Sequence, residues 1–185
     1  MKRRKMMPIG PLMIEHRLIE KMIGMMSEEL ERMKREKTVR PSLIDTMVDF
    51  IRTYADRCHH GKEEDILFRE LAKKDLKAEH AETMNELIEE HKWGRTTTKR
   101  LVEASRAYEA GDREAVSTVA RCLEELAAFY PKHIEKEDKR FFKPVMDYFT
   151  QEQRDAMLEE GFDFDRNLIH EKYRKMVEQT GELFG

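Results

Sequence analysis

Residues that make turns and disulfide bonds are scarce in this sequence. Its 185 residues include two cysteines, five prolines and eight glycines. The cysteines, Cys58 and Cys122, cannot form a disulfide framework, so we expect a reduced, cytoplasmic protein. So few glycines and prolines leave little room for a turn-rich β fold. The sequence therefore predicts an all-α protein.

Signals for membranes and nucleic acids are also missing. No uninterrupted apolar run approaches the length of a membrane-spanning helix. The basic residues 1–5 are followed by Pro8, Gly10 and Pro11 and then by charged residues, without a cleavage site, so we expect no signal peptide. The formal net charge is only −3, which gives no support for nucleic acid as a partner. The sequence has no glycine-rich loop of the kind that indicates a kinase or another nucleotide-binding protein.

Long amphipathic helices are what the sequence does indicate. Apolar and charged residues each make up 39% of the chain, a mixture typical of helices with charged outer faces. Apolar stripes spaced by threes and fours predict four helices, which contain residues 12–33, 44–70, 84–108 and 116–148. We place the helix starts near Pro11, at Pro41 or Ser42, near Ala78 and after an N-cap at Asp112, with Gly111 as a C-cap.

Two further predictions concern the second half of the chain. Pro131 interrupts the fourth stripe, so we expect a kink or a local break there. Residues 151–185 predict a short helix and then a longer one from about Asp165, which packs across the first four helices. No linker demands a second domain.

Ionisable side chains interrupt the apolar stripes at six positions. They are His16, His59, Glu63, His91, His133 and Glu137. His59 and Glu63 are four residues apart, as are His133 and Glu137, so each pair lies on one face of its helix, about 5.4 Å apart along the axis. Such a pair can aim an imidazole nitrogen and a carboxylate at one point. All six side chains facing inward would make a two-metal site inside a helix bundle.

The combination of these residues is more informative than any one of them. A single histidine on an apolar stripe is more often a hydrogen-bonded core residue than a ligand. Here four successive helices each carry a histidine on the stripe, and two of them carry a glutamate one turn later. Burying all six without a cation would cost much free energy, because buried charges need partners or metals. We therefore interpret the set as metal ligands.

The ligand types narrow the choice of metal. Imidazole and carboxylate suit iron, zinc, copper or manganese, and two carboxylates able to bridge fit a pair of irons better than a single zinc. Ferritin-like di-iron bundles use Glu-x-x-His, with the glutamate first. No glutamate stands three residues before His59, His91 or His133, so that fold is disfavoured.

These residues, in His59-x-x-x-Glu63 and His133-x-x-x-Glu137 with the single His16 and His91, resemble the hemerythrin (HHE cation-binding) family. The resemblance covers residues 8–149. It implies an up-down-up-down four-helix bundle around a non-heme di-iron centre, two Fe ions with an oxo or hydroxo bridge. It also implies that Glu63 and Glu137 bridge the metals while the four histidines are terminal ligands. Residues 150–185 would then be a C-terminal helical extension packing on the bundle.

One departure from the family pattern concerns the fifth histidine. Oxygen-carrying hemerythrins have a histidine four residues before the one that matches His91, and here that residue is Leu87. His60 is the best substitute, because in an iron-sensing branch of the family the residue directly after the second-helix histidine is itself a ligand. The alternative is that His60 faces solvent or only supports a ligand through a hydrogen bond.

The resemblance implies a di-iron protein that binds O2 or a related small diatomic or peroxide ligand, in oxygen or redox sensing, binding or iron storage. One alternative is a di-iron enzyme acting on peroxide or nitric oxide. Another is a metal-stabilised interaction bundle without catalysis. The methionines of the first helix predict either adaptable core packing or the contact surface of a homodimer. We expect neither a nucleic acid nor a membrane as a partner.

Overall fold

The chain is helical throughout the part that the structure describes. The computed structural model describes residues 6–182 and the side chains of residues 6–168, and this range holds five helices and no strand. The basic residues 1–5 and residues 183–185 lie outside it. Helix α1 spans Ile9–Glu36. Helix α2 joins Pro41–Phe50, the π-helical stretches Ile51–His60 and Glu63–Phe68, and Arg69–Leu71. Helix α3 spans Ala78–Glu109. Helix α4 joins Ala115–Lys136, the π-helical turn Glu137–Phe141, Phe142–Val145 and a 3-10 turn at Met146–Tyr148. Helix α5 spans Gln151–Glu182.

The predicted apolar stripes are the buried faces of the helices. In α1 every residue of the predicted stripe is buried: Leu12, His16, Ile19, Ile23, Met26, Leu30 and Met33. The helix begins slightly earlier than Pro11, and it ends where Lys37 adopts a left-handed conformation with φ of 54°. Before α4, the carboxylate of Asp112 accepts the N–H of Glu114 at 3.1 Å. The N-cap of α4 is Glu114, without a side-chain capping hydrogen bond, so the predicted N-cap at Asp112 lies two residues too early.

Two apolar clusters form the interior, and a polar layer separates them. One cluster is formed by the later part of α1, the early part of α2, the later part of α3 and the early part of α4. It includes Ile19, Ile44, Leu101 and Leu123. The other cluster is formed by the opposite parts of the same helices together with Met157 of α5. The ionisable side chains singled out in the sequence lie between the clusters on all four helices. The two apolar clusters therefore pack on opposite sides of the candidate site.

The irregular turns of α2 and α4 occur beside the candidate site and not at the proline. Helix α4 continues without a break through Pro131, so the expected break is wrong. Pro131 lies on the exposed side of the helix, where water can satisfy the carbonyl group that its missing N–H leaves free. The helix widens instead at Glu137–Phe141, as α2 does at Glu63–Phe68. Such π-helical turns are rare in proteins overall, and a large share of those that do occur lie at functional sites.

The C-terminal segment forms one helix, α5, and not the two that the sequence analysis expected. Its interior contains Gly161 but no proline, and a single glycine costs a helix only about 1 kcal/mol. Met157 is buried against the first two helices, and Arg69 donates two hydrogen bonds to Glu160, at 2.8 and 2.7 Å. Within the described part of the chain, every helix is too short or too polar to span a lipid bilayer.

Candidate metal centre

Seven ionisable side chains from four helices meet in the layer between the apolar clusters. None of them exposes more than 2% of its surface. Helix α1 contributes one, α2 three, α3 one and α4 two, and they are His16, His59, His60, Glu63, His91, His133 and Glu137. These are all the residues that the sequence analysis named. The structure thus brings the whole predicted set together.

Two overlapping groups of donor atoms lie in this layer. The atoms of each group are within 4.8 Å of one another, which is close enough for one metal ion to contact them all. One group is His16, His59, Glu63 and Glu137; the other is His60, Glu63, His91 and His133. Glu63 belongs to both groups, so its two oxygens can serve two ions.

Both glutamates stand between the two groups of histidines. Oε1 of Glu63 is 3.2 Å from Nε2 of His59, and Oε2 is 3.3 Å from Nε2 of His91. Glu137 is placed in the same way, with Oε2 3.1 Å from Nε2 of His16 and Oε1 3.2 Å from Nε2 of His133. Each carboxylate therefore presents one oxygen to each group, the arrangement that a bridging ligand requires.

Many of these atoms have no hydrogen-bond partner among the described residues. They include both oxygens of Glu63 and of Glu137, both ring nitrogens of His60, and Nε2 of His91 and of His133. The short distances above are therefore contacts between poorly aligned groups. Leaving a buried polar group unpaired costs about 1–3 kcal/mol, and more when it is charged. Metal cations at the centre would satisfy these atoms together, so the side chains fit a metal.

A ring of four carboxylates surrounds the histidines and links the four helices. Each accepts a hydrogen bond from Nδ1 of a histidine on another helix, at 2.7–2.9 Å. The pairs are Glu15 of α1 with His59 of α2, Glu64 of α2 with His91 of α3, Glu90 of α3 with His133 of α4, and Asp138 of α4 with His16 of α1. The ring therefore runs once around the four helices and closes on itself.

Every carboxylate of the ring also binds a basic side chain. Arg95 donates to Glu64 at 2.7 Å and Lys136 donates to Glu90 at 2.6 Å. Lys62 pairs with Glu15, and Arg17 with Asp138, completing the set. A carboxylate that accepts Nδ1–H fixes the imidazole tautomer, because the lone pair is then left on Nε2. All four histidines of the ring thus direct a basic nitrogen at the centre.

The proton affinities of the buried groups reflect their mutual contacts. Burial lowers the pKa of each ring histidine, but the facing carboxylates outweigh it and raise the pKa to about 10 for His59, about 11 for His91 and about 9 for His133. Burial and the charge of Glu137 raise the pKa of Glu63, yet the neighbouring imidazolium groups hold it well below its usual range. In the metal-free protein, protons on the histidines therefore balance the buried glutamates.

His60 is the exception to this pattern. Burial and the positive charge of His91 lower its pKa well below the usual value. Among the described residues neither of its ring nitrogens has a hydrogen-bond partner, and Nδ1 is 3.5 Å from Asp56 of its own helix. Its ring stacks on that of His91, with 3.9 Å between centroids. The structure therefore places His60 inside the site, not facing solvent.

Comparison with known protein families agrees with this geometry. The sequence model of the hemerythrin HHE cation binding domain matches residues 7–145, which is more than half of the chain. The chain belongs to the hemerythrin HHE cation-binding domain family. Neither the curated proteins nor the solved structures gave a significant match. Family membership and the buried clusters of histidine and glutamate together indicate a metal-binding helical protein.

The ring carboxylates are the part of this HHE domain that the sequence analysis missed. Glu15, Glu64, Glu90 and Asp138 are each the direct neighbour in sequence of one of the predicted site residues. Each serves a histidine on a different helix, so spacing within one helix does not reveal the pairing. The available signal was an acidic residue adjacent to a candidate ligand, repeated on all four helices.

A third group of potential donors, which includes one residue of α5, already has a positive charge at its centre. Glu15, Cys58 and Asp165 lie close together, but the ammonium group of Lys62 sits among them and pairs with both carboxylates. Burial raises the pKa of the Cys58 thiol to about 12, so the thiolate that binds metals is absent at neutral pH. Lys62 thus supplies the positive charge that this group requires.

Proposed function

We propose that the chain is a hemerythrin-like non-heme di-iron protein that binds O2 or a related small oxidant, with oxygen or redox sensing or iron storage as its role. The observation that carries the proposal is the position of Glu63 and Glu137, each presenting one oxygen to each of two histidine groups. A site for a single ion does not need two such carboxylates. Imidazole with carboxylate is a donor set that suits iron.

In this proposal the seven buried side chains are the ligands. His16 and His59 would hold one ion, His60, His91 and His133 would hold the other, and the two glutamates could contact both. Ferrous ions in these positions would supply the electrons for binding O2. The protein's part is to orient the ligands and exclude water. Phe142 stacks on His16 with 5.7 Å between centroids, and Phe68 stacks on His91 at 6.0 Å.

The proposal includes an up-down-up-down arrangement of the first four helices. Two features support it. Successive helices contribute opposite ends to each apolar cluster, as they would if the chain reversed direction at each connection. The carboxylate ring also pairs α1 with α2, α2 with α3, α3 with α4 and α4 with α1. We assign residues 8–149 to the bundle and 150–185 to an extension packing on it.

Metal analysis of the protein purified in air tests the proposal. We expect about two irons per chain and near-ultraviolet absorption from charge transfer to ferric iron. The matched variant is Glu137→Gln, which removes one bridging charge while nearly keeping the shape, and we expect it to lose at least one iron. A single zinc per chain without charge-transfer absorption would reject the di-iron proposal and favour a metal-stabilised interaction bundle.

A cavity of about 280 Å³ that reaches His60 favours a second candidate, an enzyme that turns over peroxide or nitric oxide at the same site. A small molecule can approach the centre through such a space. Mixing the reduced, iron-loaded protein with each oxidant separates the candidates. A long-lived product with O2 supports binding or sensing, whereas many turnovers with peroxide or nitric oxide support the enzyme.

Two further expectations belong to the proposal. Ile14, Leu18 and Met25 are exposed on one side of α1, and we propose that two copies of the chain pair through this side. Light scattering of the wild-type protein and of Leu18→Glu tests the homodimer, which the substitution should dissociate. The cytoplasmic location stays a prediction from the cysteine content.

A further inference from the structure

His60 is held less firmly than the other four histidines of the candidate centre. Each of those donates Nδ1–H to a carboxylate at 2.7–2.9 Å. Nδ1 of His60 is 3.5 Å from Oδ1 of Asp56, and that oxygen already accepts a hydrogen bond from Nε of Arg95 at 2.7 Å. Among the described residues, His60 therefore lacks the hydrogen bond that fixes ring orientation and tautomer in a typical histidine ligand.

A cavity of about 280 Å³ lies against His60, between α2 and α3. Its inner end is formed by the buried His60, Thr98 and Tyr130, and its outer end by the exposed side chains of Arg52 and Lys99. Gly94 lies in its wall, and a methyl group added there would meet only Cε1 of Phe129, at 3.8 Å. The space leads from the surface to one histidine of the candidate centre.

The charges at the outer end of the cavity favour anions. Its lining contains three basic side chains and one carboxylate, namely Arg52, Arg95, Lys99 and Asp56. Asp56 and Glu64 both pair with Arg95, so this part of the cavity has no excess positive charge. The positive charge is at the outer end, on Arg52 and Lys99. Lys99 also contacts Glu103 at 3.9 Å, but this pair is exposed and weak. A cleft lined by one sign of charge raises the local concentration of ions of the other sign.

From these observations we propose that the cavity admits small anions to the candidate metal centre, and that His60 is the side chain that moves aside for them. The inference rests on the proposed function, because it needs metal at the centre. Its three parts are a histidine without its orienting hydrogen bond, a space beside that histidine, and a basic outer end. The ligand class is an anion of a few atoms, able to pass between Arg52 and Lys99.

Azide binding to the iron-loaded full-length chain tests the inference, with the visible spectrum as readout. Metal content is measured first for every variant. Gly94→Leu narrows the cavity without changing a candidate ligand, and we expect the rate constant for azide association to fall about tenfold. Gly24→Leu is the matched control, because Gly24 is exposed on α1 with no atom within 4 Å of an added Cβ, and it should bind azide at the wild-type rate.

A second pair of variants tests the charge. The double variant Arg52→Gln, Lys99→Gln should slow azide association severalfold at low ionic strength and weaken the salt dependence of the association rate. The control is the double variant Lys21→Gln, Lys143→Gln, which removes the same charge from exposed positions outside the cavity lining. It should change the rate of azide association by less than twofold. His60→Ala should accelerate association, because no side chain then has to move.

Three results overturn the inference. The first is that azide associates at the wild-type rate both with Gly94→Leu and with the Arg52→Gln, Lys99→Gln double variant. The second is that azide associates more slowly with His60→Ala at unchanged metal content. The third is that the iron-loaded wild type does not bind azide. The iron content of the wild-type chain is a separate readout, and two irons per chain still support the proposed function when the inference fails. A wild-type chain that takes up no metal overturns both.

Discussion

At the scale of single residues, the candidate centre depends on contacts that cross between helices. Glu15 is the clearest case, since it precedes His16 in the sequence but accepts the Nδ1–H of His59. It also pairs with the buried ammonium of Lys62. Burial raises the pKa of Glu15, but its contacts with His59 and Lys62 outweigh burial and lower it. Glu15 is therefore a charged acceptor that holds His59 in one orientation.

Replacing Glu15 tests this role. We expect Glu15→Gln to weaken metal binding about 10–100-fold, the usual cost of losing a carboxylate that supports a histidine ligand. Titration with Zn2+ or Co2+ against a competing chelator gives the affinity. Glu28→Gln removes the same charge from an exposed position of α1 and should leave the affinity unchanged. Equal affinities of the two variants would contradict the role of Glu15.

The buried histidines make the stability of the metal-free protein depend on pH. His133, His59 and His91 have folded-state pKa values of about 9, 10 and 11, above the unfolded value of about 6.5. The protons that they hold therefore stabilise the fold fully below pH 6.5, and this contribution is lost as the pH rises through 9 to 11. Between pH 6.5 and its own folded-state pKa, each histidine changes the free energy of unfolding by up to about 1.4 kcal/mol per pH unit.

Urea unfolding in the presence of a chelator checks the pH dependence. We expect the free energy of unfolding to decrease between pH 6.5 and 10. The Glu63→Gln, Glu137→Gln double variant should show a flatter profile, because two of the carboxylates that raise the histidine pKa values are gone while Glu15, Glu64 and Glu90 remain. A wild-type profile that is flat or rises with pH would show that the histidines are not held protonated by Glu63 and Glu137.

The sequence was sufficient to predict the seven residues of the candidate centre but not their supports. His59 and Glu63 share one helix face, so helical periodicity alone brings them together. The partner of Glu15 lies on another helix, and that pairing depends on how α1 and α2 pack. Periodicity within a helix contains no information on packing between helices. The family resemblance suggested His60 as a ligand, and only the structure shows that it is buried against His91.

At the scale of elements, the π-helical turns account for the position of His60. In a regular α-helix adjacent residues point about 100° apart, so His59 on the buried stripe would direct His60 toward one side. Ile51–His60 is π-helical and has more residues per turn, which reduces that angle and lets both rings face inward. Apolar periodicity predicted the helix itself. The widened turns have no sequence signal because they depend on the site that they enclose.

The contact of α5 with α2 is the element-scale feature most open to test. A Cβ atom on Gly61 would lie 2.8 Å from Cζ of Phe164, so Gly61→Ala must displace the α5 side chain. Gly24→Ala meets nothing within 4 Å and should stabilise the protein by about 0.5–1 kcal/mol through helix propensity. We expect Gly61→Ala to lack this gain and to recover it when combined with Phe164→Ala.

Urea unfolding of the single and double variants measures this coupling. A double-mutant cycle isolates the Gly61–Phe164 term, because the propensity gain is common to both backgrounds. We expect an interaction free energy of roughly 0.5–1 kcal/mol, at the lower end for residues in contact. A coupling near zero would mean that α5 does not pack against the segment that carries His59 and His60.

At the scale of the whole molecule, two apolar clusters enclose a layer of buried charge. The pKa values of His59, His91 and His133 are raised to about 9–11 and those of Glu63 and Glu137 are lowered, so these five buried groups carry charge at neutral pH in the metal-free protein. Burying so many charges lowers stability unless cations satisfy them. The carboxylate ring adds a connection between every pair of adjacent helices, so a metal ion at the centre would stabilise all four helices at once.

Metal removal should therefore lower the melting temperature of the whole chain. A ligand present at a thousand times its dissociation constant stabilises the folded state by about 4 kcal/mol. In a domain of this size each kcal/mol corresponds to about 2–4 °C, so chelation should lower Tm by roughly 8–16 °C. Calorimetry of the iron-loaded and chelated protein measures the shift. The Glu63→Gln, Glu137→Gln variant is the control and should melt at the same temperature with and without chelator. An unchanged wild-type Tm would mean that the buried acids are stabilised by protons on the histidines alone, and that no metal joins the four helices.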